Sequence, residues 1–282
     1  MKMDFSKFLL VTDLDGTFFA KGARLVQRNL DAVARFQAGG GLFAIASGRL
    51  HLNLRGAIAE PEKLCNAPAI LSNGAYLYDF TENRAFSEDF LPEADARALM
   101  DFAKREFPEV PCRVSTPYSM RTEALRGELV RDATTFDEDS VEVKPLSLWR
   151  YDDWYKLVFR AEPQSIAAVR ARFEECFGER FDAFCSGLSF FEVQKKGINK
   201  ALGIKKLQAL CGGERTVIAC GDFENDLEML RAADIAVCPE NAQDALKADS
   251  DFVFCHCDDG LIADVVEAIE SGKIQAKEGG NT

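Results

Sequence analysis

Four short groups of residues have types and spacings that can do chemistry. Asp13-Leu14-Asp15-Gly16-Thr17 sets two carboxylates at i and i+2 directly after an apolar run. Like charges that close repel, so one carboxyl stays protonated or a cation lies between them. A hard divalent cation with oxygen ligands, Mg2+, suits the pair, and Gly16 allows a sharp turn beside it. An ordinary acidic turn is the plainer account of the same residues. Ser47-Gly48-Arg49 offers a hydroxyl at a helix entrance, either a donor to a phosphate oxygen or a simple N-cap. Lys200, in Lys196-Gly197-Ile198-Asn199-Lys200, stands where a helical stretch begins. A cation disfavours its own helix N-terminus, so this lysine is better explained if it neutralises an anion. A solvated lysine beside Lys195 and Lys196 is the competing account. Gly221-Asp222-Phe223-Glu224-Asn225-Asp226 again puts a carboxylate beside a glycine. Asn225 and Asp226 fall in a first helical turn, where acids also serve as plain caps.

The elements around these groups explain their placement. Residues 7–12 (KFLLVT), 42–46 (LFAIA), 69–71, 216–220 (TVIAC), 234–237 and 252–254 are short apolar runs that read as buried strands. Val26, Leu30 and Val33 mark a helix face that Gly39-Gly40-Gly41 ends. Residues 225–231 form a further helix, and Ile262, Val265, Val266 and Ile269 mark the last. Working residues of such sheets sit at the carboxyl ends of the strands, where three of the four groups fall. Between Arg84 and Leu188 the texture changes. Helical stretches 93–107 and 164–177 alternate with strand-like 141–143 and 155–160, as in a separate α+β unit. The expected architecture is a doubly wound, Rossmann-like α/β core of residues 1–83 and 189–282 with a mainly parallel sheet. An α+β domain of residues 84–188 is inserted in it. The polar tail 273–282, with Gly279-Gly280, is expected to fray.

Composition narrows the partners. The 282 residues are 47% hydrophobic, enough for a real core, and hold 46 acidic against 34 basic side chains, a net charge of −12. An acidic average argues against a nucleic-acid backbone or an anionic membrane as partner. It leaves a small anionic ligand open, because one local site can reverse the average. His51 and His256 are the only histidines, too few for a multi-histidine metal centre. Nine scattered cysteines without an export signal read as reduced thiols of a cytoplasmic protein. Cys255-His256-Cys257 has the look of a metal fragment but lacks a second ligand pair, so it reads as a strand end.

Taken together and in order, the four groups resemble the haloacid dehalogenase superfamily of phosphohydrolases, and within it the Cof-type branch with a C2 cap. DLDGT (Asp13–Thr17), ASGR (Ala46–Arg49), SNGA (Ser72–Ala75), KGINKAL around Lys200 and GDFENDLEML (Gly221–Leu230) carry the resemblance across nearly the whole chain. Asp234-Ile235-Ala236-Val237, Glu240-Asn241-Ala242 and Asp259-Gly260-Leu261 match the branch's closing pattern. The departures are Phe18-Phe19 for the usual leucine, Cys238-Pro239-Glu240 before Asn241, and Ala201 after Lys200. None removes a catalytic group.

The resemblance implies a Mg2+-dependent phosphatase of small phosphomonoesters, sugar phosphates foremost, working through an aspartyl-phosphate. It makes Asp13 the nucleophile, Asp15 the general acid and base, and Lys200 a catalytic cation. Thr17, Ser47, Gly48, Lys200 and Asn225 would hold phosphate. Asp13, Asp15 (through its carbonyl), Asp222 and, less directly, Asp226 would hold the metal. The inserted domain would select the leaving group. Arg121, Arg126 and Arg131 read as a solvated helix face before substrate contacts, and Tyr118 and Trp149 as packing residues. Two alternatives remain. One is a phosphotransferase or phosphomutase using the same aspartyl-phosphate, although no small cap fits between Thr17 and Ala46. The other is a catalytically silent phospho-ligand-binding module, which intact Asp13, Asp15, Lys200 and Asp222 oppose. The expected partner is a small phosphorylated metabolite, with neither nucleic acid nor membrane, and the chain is a monomer or homodimer.

Overall fold

A computed structural model describes residues 3–212 and 214–277. The first third runs β1 (Phe8–Thr12), α1 (Gln27–Ala38), β2 (Leu42–Ile45), α2 (His51–Ala57), α3 (Pro61–Leu64), β3 (Ala69–Leu71), β4 (Tyr76–Asp79) and β5 (Arg84–Phe86). The middle runs α4 (Glu93–Glu106), β6 (Cys112–Ser115), β7 (Met120–Thr122), α5 (Leu129–Ala133), β8 (Val141–Val143), β9 (Lys156–Arg160), α6 (Pro163–Phe177), β10 (Phe181–Gly187) and β11 (Phe190–Lys195). The last third runs α7 (Lys200–Cys211), β12 (Thr216–Cys220), α8 (Leu227–Ala232), β13 (Ile235–Pro239), α9 (Asp244–Ala248), β14 (Phe252–Phe254) and α10 (Leu261–Glu270). These residues gather into two compact units. The first holds the described residues of Met1–Ser47, Glu60–Ser87 and Asn199–Thr282, the second Gly48–Ala59 and Glu88–Ile198.

The first unit is built on a parallel sheet of order β14-β13-β12-β1-β2. Every residue of β1 and β12 is buried, which is why these strands read as unbroken apolar runs and not as alternations. On one face Leu9, Val11, Ala44, Val217 and Ala219 pack with Ile204 and Leu207 of α7 and Met229 and Leu230 of α8. The alternate residues Leu10, Phe43 and Ile218 are buried too, so both faces are covered, as a doubly wound sheet requires. Ala46 bridges Ile70 in parallel and brings β3, with its antiparallel partners β4 and β5, beside β2. The helix read from Val26, Leu30 and Val33 begins at Gln27 and buries Asn29, Ala32, Val33 and Phe36, with Leu30 at the edge of that face.

The second unit is an α+β layer. Its sheet has the order β10-β11-β9-β6-β7-β8 and is antiparallel except between β7 and β8. Leu99 and Phe102 of α4 and Val169 and Phe173 of α6 cover one face, against Val114, Leu157, Phe159, Phe191 and Val193. The other face is polar yet buried, with Arg113, Lys156, Arg160, Glu192 and Gln194. The strand β11, expected with the core beyond residue 189, pairs instead with β9 and β10 in this sheet.

Three smaller expectations are corrected. The tail does not fray before residue 277: Ile274 is buried and the Lys277 N–H donates to Thr216 Oγ1 at 2.8 Å. The Gly279-Gly280 portion lies outside the described residues. Arg121 belongs to a strand, not a helix face, and is buried in a fork with Asp153 and Glu142. Tyr118 is exposed, whereas Trp149 packs in the core of the second unit. None of the nine cysteines is in a disulfide, and Cys176 is exposed. Among the described residues no helix is long and apolar enough to cross a membrane.

Candidate active site

The sheet order brings the separated groups together. β1 lies between β12 and β2. Asp13 follows the last residue of β1, its N–H donating to the Cys220 carbonyl at 2.9 Å, and Asp222 follows β12 by two residues. Lys200 is the first residue of α7, whose N-cap Asn199 accepts from the Leu202 N–H at 2.9 Å. Its ammonium is fully buried and donates to Asp13 Oδ1 and to Asp226 Oδ1, both at 2.6 Å. This is the anion that a lysine at a helix N-terminus needed.

Each carboxylate has a distinct set of partners. Asp226 turns its second oxygen back to the N–H groups of Asp222 at 3.0 Å and Phe223 at 3.2 Å. It therefore ties Lys200 to the turn that carries Asp222. Asp222 Oδ1 accepts from Thr17 Oγ1 at 2.6 Å. The Thr17 N–H donates to the Leu14 carbonyl at 3.4 Å, so both Thr17 donors serve this loop. Gly16 has φ +90, and a Cβ there would lie 2.4 Å from Asp222 Oδ2, so only glycine lets the carboxylate approach. Asn241 holds the same turn by donating to the Gly16 carbonyl at 2.7 Å. The Asp15 side chain is exposed.

Ser47 is buried beyond the end of β2. Its N–H donates to the Ile70 carbonyl at 2.8 Å, and its carbonyl accepts from the Asn73 N–H at 3.0 Å. Ser72, Asn73 and Gly74 are all left-handed, with φ 47, 54 and 94. Such backbone strain persists only where the surroundings impose it. Here a Cβ on Gly74 would lie 2.0 Å from the Asn199 carbonyl oxygen, so the SNGA turn sits hard against the start of α7. Asn73 Oδ1 in turn accepts from Asn225 Nδ2 at 3.2 Å, fixing Asn225. Gly48 groups with the second unit, where its carbonyl accepts from Lys156 Nζ at 2.7 Å.

Asp13, Asp222 and Asp226 each offer a carboxylate oxygen, and the three oxygens lie within 4.8 Å of one another. One buried ammonium faces three buried carboxylates. Burial, with the neighbouring acids, pushes the Asp13 carboxyl well above the usual range even though Lys200 pulls it down. Burial and the Asp226 charge push Asp222 up to about 7. A divalent cation would supply the missing positive charge, and an all-oxygen donor set is the kind that binds hard cations. The cluster can hold a metal. His256, Cys257 and Asp258 also offer ligand atoms within 4.8 Å of one another. There His256 Nδ1 already accepts from the Asp258 N–H at 3.1 Å and caps the turn.

Sequence reasoning gave Asn241 and Asn73 no role beyond their motifs, and it missed Lys156 entirely. The available signal was a lysine opening a buried strand with an apolar centre, KLVFR.

A profile of the haloacid dehalogenase-like hydrolases matches residues 10–266, and the chain belongs to that family of enzymes. It is 26% identical over 256 residues to 5-amino-6-(5-phospho-D-ribitylamino)uracil phosphatase YitU of Bacillus subtilis strain 168, covering 87% of this chain and 91% of that protein. It is 24% identical over 264 residues to pyridoxal phosphate phosphatase YbhA of Escherichia coli K12, covering 87% and 92%. Its fold matches an HAD/COF-like hydrolase of Plasmodium vivax with a TM-score of 0.83 at 20% identity, over 93% of this chain and 95% of the other. The resemblance read from the motifs holds for the family and for the fold.

Proposed function

We propose that the chain is a Mg2+-dependent phosphatase of small phosphomonoesters, sugar phosphates first among them, that works through an aspartyl-phosphate on Asp13. The observation that carries this reading is Lys200 Nζ at 2.6 Å from both Asp13 and Asp226. It orients the Asp13 carboxyl at a strand end and opposes the effect of its burial, while leaving the cluster short of positive charge. The names of the two curated relatives, phosphatases of a ribityl phosphate and of pyridoxal phosphate, support a small phosphorylated substrate.

In this reading the Asp13 carboxylate attacks phosphorus and the bond to the leaving alcohol breaks, with Asp15 giving the alcohol its proton. The Asp15 side chain is exposed and can serve both steps. It next takes a proton from the water that attacks the aspartyl-phosphate, which releases inorganic phosphate and restores Asp13. Ser47 and Lys200 hold phosphoryl oxygens and offset the charge that develops there, and Gly48, Thr17 and Asn225 are the further phosphate-binding residues of this reading. Asp13, Asp222 and the Asp15 carbonyl would hold Mg2+, with Asp226 behind them. The bound ion neutralises charge on the transferring phosphoryl group. The second unit is the inserted cap, and the cytoplasm, with its reduced thiols, is the compartment.

The test is hydrolysis of p-nitrophenyl phosphate. Turnover with Mg2+ that EDTA abolishes is expected. Release of one phosphate per chain and no more would overturn the phosphatase reading in favour of a transfer or regulatory role. A screen of phosphorylated metabolites ranked by kcat/KM then identifies the substrate.

A further inference from the structure

The division into two units crosses the backbone between Ser47 and Gly48 and again between Ile198 and Asn199. These crossings lie directly after Ser47 and just before Lys200, the two side chains assigned above to phosphoryl oxygens. Within the second unit, both crossings are held by side chains from one rung of one sheet. Lys156 on β9 and Gln194 on β11 are directly opposed in the antiparallel register. Lys156 Nζ donates to the Gly48 carbonyl at 2.7 Å, and Gln194 Nε2 donates to the Ile198 carbonyl. Both side chains are buried.

Fold stability alone does not call for this rung. A buried ammonium is costly unless paired and hydrogen-bonded. Lys156 meets that need through Glu192 Oε2 at 2.5 Å, and Glu192 Oε1 accepts from Ser186 Oγ at 2.5 Å. Apolar residues of similar volume in place of a buried ion pair leave a fold about as stable. What apolar side chains cannot do is bond a backbone carbonyl, a strong acceptor, as Lys156 does at Gly48 and Gln194 at Ile198. The flanks in the first unit are also pinned. The Ser47 peptide groups bond to Ile70 and Asn73, and Asn199 caps α7 ahead of Lys200.

Resting on the phosphatase reading, we infer that Lys156 and Gln194 are positioning residues of the phosphate site. Their rung sets the backbone that presents Ser47 and Lys200 to the phosphoryl group. Neither side chain need touch the substrate, so the effect shows as phosphate affinity and rate, not as loss of fold.

Two variants test it, Lys156→Met with Glu192→Met, which removes both charges of the pair together, and Gln194→Met. Measurements are amide hydrogen exchange, calorimetric binding of inorganic phosphate with Mg2+, and kcat and KM for p-nitrophenyl phosphate. Thermal unfolding close to the parent is expected. Exchange should quicken about tenfold over residues 49–57 in the first variant and 199–204 in the second, with phosphate binding weakened about tenfold, the size of one lost buried hydrogen bond. kcat should fall along with affinity. Folded variants with unchanged exchange overturn the inference. So does faster exchange with unchanged phosphate affinity, because the rung then anchors backbone without positioning the site. If the double variant does not fold, Gln194→Met, which removes no charge, decides alone. A parent that binds phosphate but fails to turn over p-nitrophenyl phosphate sinks the phosphatase reading and leaves exchange and binding to decide the rung. A parent that binds no phosphate removes both.

Discussion

Lys200 Nζ donates to Asp13 Oδ1 at 2.6 Å across 187 positions of sequence. The same ammonium reaches Asp226 at 2.6 Å, so one cation serves two buried acids while Asp222 stands close by. Burial first, and then the neighbouring carboxylate charges that one ammonium does not balance, make Asp13 and Asp222 resist ionisation and give each a measurable signature.

Asp13→Asn keeps the shape of the side chain and removes its nucleophilicity. The variant should show the parent's circular dichroism and lose hydrolysis of p-nitrophenyl phosphate by about 10⁴-fold or more, as removal of a catalytic nucleophile does elsewhere. Activity at the parent's level would sink the assignment of Asp13.

Lys200→Met leaves Asp13 and Asp226 buried without their counter-charge. Breaking a buried pair from one side costs about 3–5 kcal/mol, which urea unfolding can read. Mg2+ should restore more stability to this variant than it adds to the parent, because the ion replaces the lost charge. Unchanged unfolding without metal would mean that the pairing does not exist in solution.

Asp222 gives the metal-free protein a distinctive pH dependence. Burial, then the Asp226 charge, raises its folded pKa to about 7, above the ordinary carboxylate value of 3.8. The folded state therefore holds a proton that the unfolded state has lost between these values. Its contribution to stability is fully present below pH 3.8 and is lost as pH rises through about 7. Mg2+ would bind the deprotonated form, so the rise in Tm on adding Mg2+ should be larger at pH 8 than at pH 5. A rise independent of pH would remove Asp222 from the metal site.

Gly16→Ala places a Cβ 2.4 Å from Asp222 Oδ2 in a left-handed residue. The backbone strain should lower stability by about 1–3 kcal/mol. Asp222 must also move, so the Mg2+ concentration for half-maximal activity should rise about tenfold or more. Parent-like Mg2+ dependence would show that the turn tolerates the methyl group and that the Gly16–Asp222 contact is not needed.

Local patterns in the chain determined much of this protein. An apolar run ending in acids reports a strand buried on both faces with its polar end exposed to chemistry, and Phe8–Thr12 and Thr216–Cys220 both form such strands. Spacing also marked Asp13, Asp222 and Lys200 as the residues to watch, because each sits at an element end where its charge is hard to explain otherwise. Periodicity says which face is buried, however, and not what it is buried against. Only the tertiary structure, through the order β12-β1-β2, decided that Lys200 would meet Asp13 and Asp226 and that the Thr17 hydroxyl would go to Asp222. It also decided that residues 48–59 join the second unit, and that β11 pairs there through Val193 opposite Leu157. What Lys156 and Gln194 bond was hidden for the same reason. Their partners, Gly48 and Ile198, are backbone carbonyls, and a carbonyl leaves no trace in side-chain sequence.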